Sequence, residues 1–446
     1  MITELKAKVS GLTIIDDPEV IPSYSQDQAL FAKAGKAIAV VKPCTVKQVQ
    51  DVMRFAYEKG ITVVPRGAGS GLAGGANAID GCIIISFEKM NAILEFDQVN
   101  QFARVESGVV NLEVDIHAAK YGLAYLPDPA SREWSTIGGN IATNAGGMCC
   151  LKYGVTSNHV RALKVVLANG ELIELGTQTK KQVSGLDLVR LFVGSEGTLG
   201  LLVEATLNLV IRPPAPTTFI FTFEDIESAA KSITSLLSFS PSMLEIIDKT
   251  TLTAIEKWQP IGFDVAGAAI LMQIDLENVD AQRICNLTTE LGAIDSVFTS
   301  IESETKDFLA VRKLAYPALE RLGKSMLDDV VIPIDKISEF VSKVELLQSK
   351  YQLTIGIFGH AGDGNMHPTI VYPPNDLKAE KQAISAFNEI INLAQELGGT
   401  TSGEHGIGII KLNQVKDEIS EQVLRLQSQI KKVFDPNGLL NPGKKY

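Results

Sequence analysis

The sequence has 446 residues and a net charge of −11, from 41 basic and 52 acidic side chains. This length is too great for one hydrophobic core, so two or three domains are expected. The acidic balance argues against nucleic-acid binding, which needs basic surface, and a content of 45% hydrophobic and 21% charged residues is typical of a globular enzyme.

The sequence also indicates the cellular compartment of the protein. Residues 1–20 lack the charged-then-apolar pattern of a signal peptide, and no run of about 18 apolar residues suggests a membrane span. The five cysteines show no C-x-x-C spacing, which argues against an iron–sulfur cluster or a cysteine-based zinc site. An odd number of cysteines without a signal is typical of a reducing compartment. We therefore expect a cytoplasmic protein.

Short β runs separated by glycine-rich loops characterise the chain as far as residue 212. Segment 45–60 has helical periodicity, and Gly60 would end that helix. The Pro-rich segment 211–218 indicates a linker. Strands are predicted at 37–41, 61–65, 82–86 and 103–110, and a hairpin around an Asn-Gly dipeptide at 163–175.

Helical and β patterns alternate after the linker. Helices are predicted at 225–239, 281–293, 337–352 and about 412–433, strands at 267–275 and 353–360, and a mixed segment at 243–258. This alternation favours an α+β layer in which helices cover one face of a sheet.

The first glycine-rich loop contains Gly69-x-Gly71-x-x-Gly74, a nominal match to the dinucleotide-binding fingerprint. The Rossmann version needs a helix directly after the loop, whereas this loop continues through Gly75 toward another strand. A Walker loop is excluded because no Lys-Ser or Lys-Thr pair follows. Residues 66–71 can still turn successive N–H groups toward an anion. From the residues alone, a plain connection between two strands stays an equal alternative.

Two further glycine motifs follow along the chain: the segment 127–154, with Pro127-Asp128-Pro129 and Gly138-Gly139-Asn140, and Gly194–Gly200. In this order the three motifs resemble those of the vanillyl-alcohol oxidase superfamily. The chain is similar, from about Tyr24 to its end, to the glycolate oxidase D-subunit and D-lactate dehydrogenase family. The resemblance implies FAD, bound by Pro65, Arg66, Gly67, Ala68, Gly69, Ser70, Gly71, Leu72, Pro127, Asp128, Thr136, Gly138, Gly139, Asn140, Thr143, Asn144, Gly146, Glu196, Gly197, Gly200 and Asn441.

The same resemblance implies the architecture. We expect an α+β fold with a two-subdomain FAD-binding domain (1–212), a substrate or cap domain with an antiparallel sheet (213–405), and a C-terminal segment (406–446) that returns to the FAD domain. Residues 1–116 contain no histidine, which disfavours histidyl attachment of the flavin at the first loop. The flavin is expected to be non-covalent, with the Cys149–Cys150 pair as the cysteinyl alternative.

Three of the five histidines lie in two glycine-rich segments, 359–367 and 402–408. Two imidazoles and a carboxylate suit a divalent cation with open coordination positions; histidines that only cap local backbone groups are the alternative. His117 and His159 are expected to be structural. The resemblance implies three metal ligands and a catalytic base, which are His360, His367, Glu404 and, as the base, His405. Zinc, manganese or iron would suit these ligands.

The family resemblance implies oxidation of a small D-2-hydroxy acid, D-lactate or glycolate, to the 2-oxo acid. Arg312 matches the family's carboxylate-binding arginine, and its planar fork suits that contact; an exposed helix arginine is the alternative. Leu327 stands where D-2-hydroxyglutarate dehydrogenases carry a lysine for a second carboxylate, and Lys324 is out of register. These departures favour a monocarboxylate.

Several alternatives stay open at this point. The chain could be a D-2-hydroxyglutarate dehydrogenase-like enzyme, or the flavin subunit of a multi-subunit glycolate oxidase that is inactive alone and sits at the inner membrane through a partner. A non-redox metal flavoenzyme resembling alkyl-dihydroxyacetone-phosphate synthase is a third. The electron acceptor could be a quinone, an electron-transfer protein or an iron–sulfur subunit, and a homodimer is compatible with the sequence.

Overall fold

The computed structural model describes residues 1–29, 31–260 and 267–446. Among these residues the helices, in chain order, are α1 (Ile2–Lys8), α2 (Val46–Lys59), α3 (Asn111–Ala119), α4 (Ile137–Thr143), α5 (Cys150–Tyr153), α6 (Leu188–Phe192), α7 (Ile226–Leu237), α8 (Lys249–Trp258), α9 (Ala281–Glu290), α10 (Glu302–Glu320), α11 (Ile337–Tyr351), α12 (Leu377–Glu396), α13 (Leu412–Glu418) and α14 (Glu421–Phe434). No helix in this part of the chain combines the length and the apolar character needed to cross a bilayer.

The strands of the same residues are β1 (Thr13–Ile15), β2 (Ala39–Lys42), β3 (Val63–Arg66), β4 (Ile83–Ser86), β5 (Ile93–Asp97), β6 (Phe102–Glu106), β7 (Leu123–Ala124), β8 (Val160–Val166), β9 (Leu172–Gly176), β10 (Leu201–Asn208), β11 (Val210–Ile211), β12 (Thr217–Phe223), β13 (Met243–Asp248), β14 (Ala268–Ile274), β15 (Asp295–Thr299), β16 (Lys324–Leu327), β17 (Val330–Val331), β18 (Thr354–Gly356), β19 (Phe358–His360), β20 (Asn365–Met366) and β21 (Thr369–Tyr372).

The chain divides into two compact units. Unit 1 comprises Met1–Gly146, Gly154–Arg212 and Glu404–Tyr446, and unit 2 comprises Gly147–Tyr153 and Pro213–Gly403. The division after Arg212 falls within the predicted linker. Unit 1 resumes at Glu404, two residues before the boundary drawn from the sequence, and the short segment 147–153 groups with unit 2.

Unit 1 contains a four-stranded sheet ordered β1-β2-β4-β3, in which β2, β4 and β3 are parallel and β1 is antiparallel. Helix α2 was predicted closely: Thr45 caps its first turn, and Gly60 ends it in the left-handed conformation with φ 64°. Its apolar stripe is buried in a core shared with β2, β3 and β4. The C-terminal segment joins this sheet, since the N–H of Asn441 donates to the carbonyl of Val63 at 2.8 Å.

A second, antiparallel sheet of unit 1 is ordered β5-β6-β10-β8-β9. Its β8–β9 pair is the predicted hairpin, with Val166 opposite Leu172. Side chains of α3 and α4 share a core with this sheet that includes Tyr125 and Phe192. The glycine-rich loops of unit 1 are therefore anchored on rigid strands and helices.

Unit 2 is built on a seven-stranded antiparallel sheet ordered β15-β12-β14-β13-β19-β20-β17, with a three-stranded sheet ordered β16-β21-β18. The expectation of a sheet covered on one face was wrong for its centre. Every side chain of β13 and β14 is buried, and successive side chains of a strand point to opposite faces. Helices α7, α8 and α10 all contact these two strands. The α+β class with an antiparallel sheet is confirmed.

Two elements predicted as continuous are divided in the structure. The predicted strand 353–360 is β18, where Gly356 pairs with Thr369, and β19, where Gly359 pairs with Ile246. The two halves belong to different sheets, and local periodicity contains no information on which partner each half meets. The predicted helix 412–433 is α13 and α14, because Ile419 is extended (φ −102°, ψ 129°) and ends the first of them.

Candidate active site

Residues of all three glycine motifs line one cavity in unit 1. It is also lined by Asp27, Phe87 and Ser107, which sequence reasoning missed because they lie outside those motifs. The predicted FAD-binding residues that line it are Pro65, Arg66, Gly67, Ala68, Gly69, Ser70, Gly71, Leu72, Thr136, Gly138, Gly139, Asn140, Thr143, Gly146, Glu196, Gly197 and Gly200.

The glycines of this cavity let backbone segments approach closely. A Cβ on Gly67 would lie 2.3 Å from Oγ1 of Thr136, and one on Gly138 would lie 2.7 Å from Cβ of Ser107. At these two positions the wall of the cavity is therefore backbone. Arg66 adds a cation that is only 8% exposed. Amide groups and a buried guanidinium are the donors that a diphosphate needs, so these residues fit the pyrophosphate of FAD.

Four of the predicted FAD-binding residues are not among the lining residues, namely Pro127, Asp128, Asn144 and Asn441. Asn441 instead supports the loops: its Nδ2 donates to the carbonyls of Gly75 at 3.0 Å and Glu196 at 2.8 Å. Lys444 acts similarly, since its Nζ donates to the carbonyls of Gly75 and Asn77. Burial lowers the pKa of Lys444 to about 8.

Glu404 and His405, the predicted metal ligand and base, line the same cavity of unit 1. Nε2 of His405 lies 3.8 Å from Oε1 of Glu404, and the side chains are 16% and 14% exposed. Gly146 makes room for Glu404, because a Cβ there would lie 2.5 Å from its Oε2. Both groups can therefore reach a ligand bound in this cavity, which we call the flavin cavity.

The two other predicted metal ligands lie in unit 2, where His360 ends β19 and His367 follows β20. Both are buried, and their rings are nearly perpendicular with centroids 5.1 Å apart. Nδ1 of His360 lies 2.7 Å from Oε1 of Glu245, and Nδ1 of His367 lies 3.3 Å from the carbonyl oxygen of Asp328. When Nδ1–H donates in this way, Nε2 keeps the lone pair that a metal requires.

Asp329 adds a carboxylate beside His367. One of its oxygens lies within 4.8 Å of a ring nitrogen of His367. Its Oδ1 accepts from Nδ2 of Asn365 at 2.7 Å, and its Oδ2 accepts from Oγ of Ser402 at 2.6 Å and from the N–H of Gly403 at 3.0 Å. Sequence reasoning missed Asp329, although two adjacent acidic residues directly before an apolar strand are unusual.

Arg312 lies on α10, and its side chain is 11% exposed, so it is not an exposed helix arginine. Its Nε donates to Oε2 of Glu245 at 2.6 Å, and its guanidinium lies 4.7 Å from the ring centroid of Phe358. Burial alone would raise the pKa of Glu245, but His360 and Arg312 hold it below its ordinary value. Glu245 was also missed; an acidic residue within the apolar run MLEIID could have indicated it.

The two histidines expected to be structural lie elsewhere in unit 1. The ring of His117 packs 4.8 Å from Phe96, and that of His159 packs 5.9 Å from Tyr125, both measured between centroids. Neither is among the lining residues of the flavin cavity.

Comparison with known families agrees with this geometry. The profile of the FAD binding domain matches residues 37–176, and that of the FAD linked oxidases, C-terminal domain, matches residues 212–445. The chain belongs to the FAD-linked oxidase family.

The oxidase is 37% identical to glycolate oxidase subunit GlcD of Bacillus subtilis, over 92% of this chain and 88% of that protein. It is 35% identical to a D-lactate dehydrogenase of Anaerostipes hadrus, over 100% of this chain and 96% of that protein. The solved structure of p-cresol methylhydroxylase shares the fold, with a TM-score of 0.81 and 17% identity over 97% of this chain and 93% of that one. The vanillyl-alcohol oxidase type of fold and the use of FAD are thereby confirmed.

Proposed function

We propose that this FAD-linked oxidase converts a small D-2-hydroxy acid, D-lactate or glycolate, to the 2-oxo acid with the help of a divalent metal. The observation that carries the proposal is the pair of buried imidazoles, each with Nδ1 facing an oxygen atom, beside the partly buried Arg312. The names of the relatives, a glycolate oxidase subunit and a D-lactate dehydrogenase, support the same substrates.

The metal would be held by His360 and His367 together with Glu404. Glu404 directly follows Gly403, whose N–H donates to Asp329, and Asp329 offers a further carboxylate beside His367. Two imidazoles with carboxylates suit zinc, manganese or iron. Such an ion would make the substrate hydroxyl more acidic, as it lowers the pKa of water from about 15.7 to about 7.

Two side chains would act directly on the substrate. His405 would take the hydroxyl proton as general base. Arg312 would bind the carboxylate through its terminal nitrogens, because its Nε is directed at Glu245. Bound FAD would supply the acceptor for the hydride from C2. The substrate would thus lose one proton to His405 and one hydride to the flavin, which leaves the 2-oxo acid.

The side chains of the β16–β21 region favour a monocarboxylate over a dicarboxylate substrate. Leu327 lies at the end of β16 opposite Thr369 of β21. An apolar side chain thus occupies the position where a lysine would bind the second carboxylate of a dicarboxylate substrate. Lys324 is exposed at the other end of β16. D-2-hydroxyglutarate stays the alternative substrate, and it would need its second carboxylate bound by another cation.

The electrons must then pass to an acceptor, which we propose is a quinone, an electron-transfer protein or an iron–sulfur subunit. The relative GlcD is named as a subunit, which favours a protein partner; a homodimer stays an alternative. Cytoplasmic location, with attachment to the inner membrane through that partner, stays a prediction.

Anaerobic stopped-flow reduction of the bound flavin tests the proposal. D-lactate and glycolate should bleach the flavin, L-lactate should not, and D-2-hydroxyglutarate should react more slowly. A chelator should abolish the reaction, and added Zn²⁺ or Mn²⁺ should restore it. A flavin that no 2-hydroxy acid reduces would contradict the proposal and favour non-redox chemistry, and full activity after verified metal removal would refute the role of the metal.

A further inference from the structure

A single buried carboxylate, that of Glu245, contacts both a proposed metal ligand and the proposed carboxylate-binding arginine. Glu245 is 0% exposed. Its Oε1 lies 2.7 Å from Nδ1 of His360, and its Oε2 lies 2.6 Å from Nε of Arg312. Each oxygen thus has its own partner, one a proposed metal ligand and the other the proposed carboxylate-binding residue.

The support beneath this carboxylate is rigid. Glu245 lies within β13, where its backbone pairs with Leu271 of β14, and β13 also pairs with β19, the strand that ends in His360. Phe358, two residues before His360 on β19, packs against the guanidinium of Arg312. The imidazole and the guanidinium are therefore fixed relative to one sheet as well as to one side chain.

We propose that Glu245 is a positioning residue that sets the spacing between the metal-binding Nε2 of His360 and the terminal nitrogens of Arg312. This inference rests on the proposed function. A 2-hydroxy acid carries its hydroxyl and its carboxylate on adjacent carbons, so the metal and the guanidinium must be held at one short separation. Glu245 also selects the imidazole tautomer, because a carboxylate accepts the Nδ1–H and leaves Nε2 unprotonated. Glu245 thereby couples metal affinity to recognition of the substrate carboxylate.

The Glu245→Gln variant of the FAD-loaded chain tests this role. Glutamine offers one acceptor and one donor, so it cannot accept from both partners. With Mn²⁺ alone as the probe, followed by electron paramagnetic resonance, affinity should fall by about 10- to 100-fold, the usual effect of losing such a partner. At saturating Mn²⁺, the KM for D-lactate should rise as well, because Arg312 loses its orientation. A merely structural role would lower thermal stability and leave Mn²⁺ affinity unchanged in the folded variant.

Glu204→Gln is the matched control, because Glu204 is a largely buried carboxylate that likewise pairs with two basic side chains, Arg104 and Lys164, in unit 1. It should keep both Mn²⁺ affinity and KM. If Glu245→Gln does not fold, Glu245→Asp replaces it: its shorter side chain cannot reach both partners, so the same two losses are expected.

His360→Ala separates this inference from the proposed function. If the wild type binds no Mn²⁺, or His360→Ala binds it as tightly as the wild type, the proposed metal site is wrong. If His360→Ala loses Mn²⁺ while the folded Glu245 variant keeps wild-type affinity and KM, the metal site stands and the role given to Glu245 is wrong.

Discussion

The carboxylate of Glu196 holds the backbone of Gly408: its Oε2 accepts the N–H of Gly408 at 2.7 Å, and its Oε1 accepts that of Ile407 at 2.8 Å. Glu196 is 5% exposed and has a positive φ of 51°, a conformation that few residues other than glycine adopt. Sequence reasoning assigned this residue to FAD. It lines the flavin cavity, and both of its carboxylate oxygens accept from the segment that follows His405, so it also anchors the proposed base within unit 1.

We expect Glu196→Gln to slow flavin reduction while FAD stays bound. A glutamine amide can accept only one of the two N–H bonds, and its NH₂ group would face the other donor. The resulting displacement of His405 should lower the rate of reduction by about 100-fold, the cost of an error of about 1 Å in position. Glu106→Gln is the matched control, because Glu106 also accepts from a backbone N–H, that of Ala92. Loss of FAD with an unchanged rate in the remaining holoenzyme would contradict the anchoring role.

His405→Ala should keep the yellow flavin and lose its reduction by D-lactate. General-base catalysis contributes about 10²- to 10⁴-fold, so the rate should fall by at least the lower of these factors. His117→Ala, which removes a histidine packed against Phe96, should reduce at the wild-type rate. Single-turnover stopped-flow traces of the two variants measure the rate of flavin reduction. A wild-type rate in His405→Ala would show that another group takes the proton.

His367→Ala should lose the metal without losing FAD. The flavin cavity described above is lined by unit 1 residues, whereas His367 belongs to unit 2. Elemental analysis of the purified variant should give less than a tenth of the wild-type metal content. Loss of a residue that only hydrogen-bonds a metal ligand lowers metal affinity by about 10- to 100-fold, and loss of a ligand itself should lower it further. The absorbance of FAD should stay unchanged. Wild-type metal content in this variant would remove His367 from the ligand set.

The parts of the fold that local chemistry determines were predictable from the sequence. Helix α2 has an apolar stripe, a Thr cap and a terminal glycine within 16 residues of chain, and the β8–β9 hairpin has its turn residues between its strands. The division of 353–360 between two sheets was not predictable, because it depends on partners as distant as Ile246. Element type follows from near neighbours, whereas sheet membership follows from tertiary pairing.

The same distinction applies to the candidate site. The histidines and the glycine loops were predictable because each motif is contiguous and chemically unusual. Glu245 and Asp329 were missed because their role depends on distant groups: Glu245 lies 115 residues from His360 in the chain, and Asp329 lies 74 residues from Gly403. A buried acidic residue within an apolar run indicates that a partner exists, but not which residue it is.

The last prediction concerns Asp248, the N-cap of α8, whose side chain accepts from the N–H of Thr251 at 2.9 Å. Burial raises the pKa of Asp248 to about 6, from about 3.9 in an unfolded chain. The folded state therefore binds more protons between these values, and the free energy of unfolding must fall as the pH rises from about 4 to about 6. This loss amounts to about 1–3 kcal/mol, since one pKa unit corresponds to about 1.4 kcal/mol.

Asp248→Asn removes this titration but keeps the capping oxygen. Relative to the wild type, the variant should therefore gain about 1–3 kcal/mol of stability between pH 4 and pH 7, measured by urea unfolding of the FAD-loaded protein. Asp225→Asn is the matched control, because Asp225 caps α7 in the same way but its hydrogen bonds with Ser228 lower its pKa. In that variant the sign reverses and the window moves to lower pH: the wild-type carboxylate gains stability as it ionises below about pH 4. Relative to the wild type, Asp225→Asn should therefore lose stability as the pH rises to about 4 and show a level difference from there to pH 7. Parallel pH profiles for the two variants would show that burial of Asp248 does not govern its titration.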